Sequence, residues 1–170
     1  MLVGGASSRF GGPKALALLG GRTLAERAWD ALAWCDERIA VGKAADALPL
    51  PFPLLDDGSA DRAPIHGVAA ALRLARHEVC VVLPVDCPLV PPEALRALAA
   101  ARAVPQTGPL PGAYERAHLP ELERRIAAGS LSLRGVVERV LRVDEALLAD
   151  VDTPDDLRRL AALSASTRAP

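Results

Sequence analysis

The sequence predicts an α/β fold: a mostly parallel, Rossmann-like sheet with helices on both faces, three layers in all. Three observations carry this. Val79 to Val85 is an unbroken apolar run, the mark of a strand covered on both sides. Strand-like runs alternate with stretches of helical spacing. Successive strands also end in Gly or Asp turns, at Gly4, at Asp56-Asp57-Gly58 and at Asp86-Cys87-Pro88. The chain has 170 residues, 51% of them apolar, which suits a sizeable core in one domain. The expected organisation is a single domain over 1–163 and a frayed tail over 164–170.

Each element has a local reason. Met1-Leu2-Val3 reads as the end of a buried strand, too short to anchor the following loop strongly. Thr23 to Cys35 has helical spacing, with Thr23 as N-cap and Glu26 at capping-box distance. Arg38 to Val41 is a short strand closed by Gly42. Residues 49–55 are extended, up to the acidic turn. Ile65 to Arg76 is a helix with Val68, Ala71, Leu72 and Ala75 on one face. Pro92 to Arg102 is a helix opened by proline and Glu93. Residues 105–112 form a loop. Leu119 to Ala128 is a helix closed by Gly129, and Leu131 to Val140 is expected to form another. Thr153-Pro154-Asp155-Asp156 caps a last helix reaching about Leu163, with Asp152 or Thr153 as the cap.

Composition narrows the function. A net charge of -1 gives no reason to expect a nucleic acid or an anionic membrane as partner. The apolar stretches fall far short of the roughly 20 residues a bilayer span needs. No leader pattern precedes the Gly-rich loop, so a cytoplasmic protein is expected, a monomer or weak homo-oligomer. Cys35, Cys80 and Cys87 have no zinc or disulfide spacing and read as small buried thiols, with Cys87 in reach of a pocket. Lys14 and Lys43 are the two lysines in a chain otherwise cationic through Arg, so each is a less routine choice.

Ligands of parallel sheets bind outside the carboxyl ends of the strands. Three features should fall at that edge. The first is the loop Gly4-Gly5-Ala6-Ser7-Ser8-Arg9-Phe10-Gly11-Gly12-Pro13-Lys14. Its four glycines let backbone N–H groups approach an anion, and Arg9 and Lys14 add charge that suits a triphosphate. It is neither a P-loop nor a GxGxxG turn. The second is the acidic pair Asp56-Asp57. The third is Asp86, a hard oxygen ligand for Mg²⁺ at the end of the most buried strand. Asp150 and Asp152 alternate like a strand end, and one of them is placed to reach the same metal. His66 is expected near the nucleotide, and His77 and His118 in solvent. No zinc motif is present.

These residues carry a resemblance. The loop Leu2 to Lys14 is similar to the pattern of the MobA-like nucleotidyltransferases, roughly L-A-G-G, three residues, R-M-G, a gap and K. Pro64-Ile65-His66-Gly67-Val68 resembles the family's G-P-L-A-G-I, Val85-Asp86-Cys87-Pro88 its C-D-x-P, and Asp150-Val151-Asp152-Thr153-Pro154 its N-V-N/D-T-P. The resemblance implies a fold like that of GT-A nucleotidyltransferases. It also implies Mg²⁺-dependent transfer of GMP from GTP to a molybdopterin-type phosphate, forming a guanine dinucleotide and releasing pyrophosphate. Leu2, Val3, Gly4, Gly5, Asp56 or Asp57, Pro64 and Gly67 would hold the nucleotide. Arg9, Lys14 and Asp86 would be catalytic, with Lys14 and Asp86 also on the nucleotide and Asp86 and Asp152 on the metal. The chain departs from the pattern at Ile65-His66, where Leu-Ala is usual, and in the spacing before Lys14. Three rival readings stand beside this one: a CTP-using relative, a sugar- or alcohol-phosphate nucleotidyltransferase, and a non-catalytic nucleotide-binding module.

Overall fold

The computed structural model describes residues 1–4 and 10–166, with the backbone alone for 163–166. In chain order its elements are β1 (Leu2–Val3), β2 (Leu18–Leu19), β3 (Arg22–Thr23), α1 (Leu24–Ala31), β4 (Ala40–Gly42), β5 (Leu54–Asp56) and α2 (Pro64–Leu74). There follow β6 (Val79–Val82), α3 (Pro92–Ala101), β7 (Val104–Pro105), β8 (Gly112–Glu115), α4 (Leu119–Ala127), β9 (Val140–Leu141) and α5 (Pro154–Ser166).

Short as it is, β1 sits in the middle. It pairs in parallel with β4, and β4 with β5. On its other flank the chain leaving β6 takes over: Leu2 N–H donates to Leu83 O at 2.9 Å, and Val85 N–H to Leu2 O at 3.1 Å. β6 pairs antiparallel with β8, and β7 pairs in parallel with β9. Ala113 N–H donates to Ala103 O at 3.0 Å and joins these two groups. The sheet therefore runs β5-β4-β1-β6-β8-β7-β9, mostly parallel, with β8 reversed.

The alternation of side chains along these strands builds the layers. Leu2, Val41 and Val82 pack on one face with Ile65, Val68 and Leu72 of α2 and Leu122 of α4. Val3, Ala40, Leu83 and Val85 pack on the other with Ala25 and Ala28 of α1 and Leu95 of α3. Gly42 is required where β4 meets β1, because a Cβ there would lie 2.0 Å from Val3 O.

The helix ends follow their caps. Thr23 N–H and Oγ1 both donate to Glu26 Oε2, and Glu26 N–H returns to Thr23 Oγ1. α1 stops at Ala31, four residues before the expected end, where i→i−3 bonds from Ala33 to Asp30 and from Cys35 to Leu32 tighten the chain into turns. α5 continues to Ser166, past the expected end, since nothing in Ser164-Ala165-Ser166 breaks a helix.

One element is corrected. Residues 131–140 form no helix. Gly135 takes φ 73 in the middle of the segment, while Leu133, Val136 and Val137 fill the core from irregular backbone. The segment ends in β9, which was not foreseen; nor were β7, β8 or the β2–β3 hairpin. The single Gln, Gln106, brackets Val143 with two bonds, at 2.7 and 3.0 Å, and fastens the loop after β7 to the chain after β9. Among the described residues no helix is long and apolar enough to cross a membrane.

Candidate active site

The carboxyl ends of β1, β4, β5 and the 83–85 segment open on a cleft of about 800 Å³, inside the roughly 300–1,000 Å³ range of ligand sites. Leu2, Val3 and Gly4 form its floor, with Gly4 leaving the strand at φ 139. Gly5 and Arg9 lie outside the described residues. Lys14 enters from the short 3₁₀ turn that begins with it (Lys14–Leu16). Asp86, Asp150 and Asp152 face it, and Asp57, Pro64 and Gly67 line the far end.

Lys14 ties the chemistry together. Its Nζ lies 2.6 Å from Asp152 Oδ1 and 3.6 Å from Asp86 Oδ2. The lysine side chain is 14% exposed, Asp86 33% and Asp152 41%, so all three remain within reach of a solute. Two local features bring the acids here. Val151 N–H donates to Asp86 O at 2.8 Å, which stitches the 150–152 segment to the end of the Asp86 strand. The cap of α5 is built by Thr153 and Asp156: Asp156 Oδ2 accepts from Thr153 Oγ1 at 2.7 Å and Thr153 N–H at 2.8 Å. The Asp152 carboxylate accepts from Lys14 Nζ.

Burial raises Asp86 above its ordinary carboxyl range. Lys14 opposes the shift, and Asp150 and Asp152 reinforce it. Cys87, beside it, is buried, and its thiol is pushed up by burial and by the Asp86 and Asp150 charges. It is a neutral wall of the cleft rather than a nucleophile. Cys35 and Cys80 are half-buried, more open than expected.

The two acidic candidates after β5 separate. Asp57 lines the cleft. Asp56 instead shapes the turn: its carboxylate accepts from Ala44 N–H and Gly58 N–H, each at 2.7 Å, and these bonds hold its pKa below the usual value. His66 is buried on α2, and its Nε2 has no hydrogen-bond partner. His77 is exposed as expected, while His118 is half-buried and accepts from Glu115 N–H at 3.0 Å. Lys43, Asp46 and Arg62 also line the cleft and were not foreseen as site residues. The signal for Lys43 was present in its rarity.

Among the described residues, no group of three or more His, Cys, Asp or Glu side chains is placed to hold an ion. The two carboxylates on Lys14 are hard oxygen donors. This suits Mg²⁺ taken up with a substrate, since that ion is commonly held by one or two carboxylates plus phosphate oxygens and water.

A cationic lysine among carboxylates, in a cleft at the carboxyl edge of a parallel sheet, suits the phosphates of a nucleotide. Residues 1–145 match the MobA-like NTP transferase domain, and the chain belongs to that family. It is 38% identical to the molybdenum cofactor guanylyltransferase of Sinorhizobium fredii over 100 residues, 54% of this chain and 46% of that protein, so the match spans about half of that relative. It is 36% identical to a probable molybdenum cofactor guanylyltransferase of Deinococcus radiodurans, over 78% of this chain and 74% of that one. The solved structure of molybdopterin-guanine dinucleotide biosynthesis protein A from Archaeoglobus fulgidus superposes with a TM-score of 0.73, at 27% identity and 97% coverage of both chains.

Proposed function

We propose that the enzyme transfers GMP from GTP to the phosphate of a molybdopterin-type acceptor. The observation that carries the reading is the Lys14 ammonium set between Asp152 and Asp86 in the cleft. An acceptor phosphate oxygen attacks the α-phosphorus in line. The bond from the α-phosphorus to the bridging oxygen breaks, and pyrophosphate leaves with the electron pair. Such chemistry needs alignment and charge neutralisation rather than a covalent enzyme intermediate. The Gly4 backbone and the Lys14 ammonium bind the phosphates, and the ammonium stabilises charge that builds on them. In the free protein the same ammonium is held by the two acids, so an arriving triphosphate competes for it. Asp86 and Asp152 would hold Mg²⁺, which supplies charge neutralisation at the triphosphate when bound. Gly5 and Arg9 are assigned to the same phosphates by the sequence pattern alone. Asp57, Pro64 and Gly67 receive the nucleoside.

A thermal-shift panel of GTP, CTP, ATP and UTP with Mg²⁺ tests the reading without an acceptor. A ligand that binds only the native state stabilises it. GTP is expected to give the largest shift. A larger shift with CTP would reassign the base, and no shift with any triphosphate would overturn the reading.

A further inference from the structure

The nucleoside end of the cleft is walled by the loop that follows β5. Two bonds start it, one to β4 and one within the loop: Asp57 N–H donates to Gly42 O at 3.0 Å, and Ser59 N–H to Asp57 Oδ1 at 3.0 Å. Beneath it lies Lys43, the residue after β4. Its ammonium donates to Asp57 Oδ1 at 2.7 Å, to Ser59 O at 2.5 Å and to Asp61 O at 2.6 Å. The Lys43 side chain is 10% exposed and Asp57 7%, so the pair is largely withdrawn from water. From outside, Arg62 holds Asp46 with two bonds, at 2.9 and 2.6 Å.

An ammonium has three donors, and here all three are engaged. Lys43 therefore has no donor left for a ligand, although it lines the cleft. A buried charge held by one carboxylate and two carbonyls is a costly way to close a surface loop, because both the ammonium and the carboxylate must leave water. What the arrangement supplies is position: three points of one loop, at Asp57, Ser59 and Asp61, are referred to the end of a central strand. From this geometry we infer that Lys43 is a positioning residue for nucleoside recognition. It fixes the Asp57–Arg62 wall against β4 before the nucleotide arrives and acts through Asp57 and the loop rather than by touching substrate. This inference rests on the nucleotide reading above, with the nucleoside at the Asp57 end and the phosphates at the Lys14 end.

The test compares binding of Mg²⁺-GTP and Mg²⁺-tripolyphosphate by titration calorimetry in wild type, Asp57→Asn and the double variant Lys43→Met with Asp57→Asn. The double variant removes both charges together and so avoids an unpaired buried carboxylate. Preorganisation lost from the loop is expected to make it bind GTP about ten-fold more weakly than Asp57→Asn alone. Tripolyphosphate engages only the Lys14 end, so its affinity is expected to stay within about two-fold of wild type in both variants. If the double variant does not fold, Lys43→Gln in the Asp57→Asn background, which keeps two donors, is expected to show the same split at smaller size. GTP affinity equal to that of Asp57→Asn alone would overturn the inference. So would a parallel loss of tripolyphosphate, which would make Lys43 merely structural. Failure of the nucleotide reading looks different: the wild type would then bind GTP no better than tripolyphosphate.

Discussion

At the level of single residues, the site is an argument about which charges face one another. Lys14, Asp86 and the Asp150/Asp152 pair stood out in the sequence as candidates, the first as a rare lysine in a Gly-rich loop, the others as acids after a buried strand and before a capped helix. Lys43 was visible as a rare lysine, but its role was not: its partners lie 14 to 18 residues on, and no local rule closes such a loop. The choice of Asp57 over Asp56 for the cleft was equally hidden, because it depends on which carboxylate the turn consumes. Asp86 gives a prediction with a definite sign. Its pKa is raised from 3.8, so ionisation is disfavoured in the folded state. The cost develops as pH rises through the ordinary value and then the folded one, and it persists above both. Asp86→Asn is thus expected to keep or raise the melting temperature of the ligand-free protein at neutral pH. By analogy with lost electrostatic stabilisers it should lower kcat by about 100-fold or more. A variant that melts well below wild type would show that Asp86 is a structural anchor.

At the level of elements, helices with caps and the short strands β1, β4 and β5 were readable, while the β2–β3 hairpin and the strands β7, β8 and β9 were not. Thr23 with Glu26 and Thr153 with Asp156 announce α1 and α5 because capping is a contact between near neighbours. β7 and β9 have two residues each and pair Val104 with Val140, far apart along the chain. Nothing local encodes that. The segment 131–140 has helical spacing of apolar residues, yet Gly135 turns it and the core takes its side chains without a helix. Two predictions belong here. Gly42→Ala would drive a methyl into the Val3 carbonyl and separate β1 from β4. A backbone shift in the central pair is expected to destabilise by more than about 4 kcal/mol, read by urea unfolding or as loss of soluble protein. Asp56 makes the loop after β5 acid-sensitive. Bonds from Ala44 N–H and then Gly58 N–H hold its pKa below 3.8. Its contribution is fully present above 3.8 and is lost as pH falls through the lower folded value. Unfolding titrations between pH 2 and pH 7 should show a shallower acid limb in Asp56→Asn than in wild type; identical limbs would remove Asp56 from the account.

Across the whole molecule, the fold serves one edge. Alternating side chains on β1, β4 and the end of β6 bury two helical layers, and these strands together with β5 deliver Gly4, Lys43, Asp57 and Asp86 to a common cleft. The sequence disclosed this arrangement because parallel strands end on the same side. The central place of a two-residue β1 was not expected from its length. It follows from partners on both flanks, with β4 on one and the 83–85 segment on the other. A nucleotide that bridges the Lys14 and Asp57 ends should stabilise the whole unit. For a chain of this size, a ligand at roughly 100 times its Kd is expected to raise the melting temperature by about 5–10 °C.

On the proposed reading, Lys14 handles the triphosphate during nucleotidyl transfer. Pyrophosphate release from GTP, Mg²⁺ and a molybdopterin-type acceptor, followed in wild type and in Lys14→Ala, tests it most directly. Wild type is expected to release one pyrophosphate per acceptor modified, and folded Lys14→Ala to fall by about 100-fold or more. Pyrophosphate release by Lys14→Ala at the wild-type rate would contradict the account.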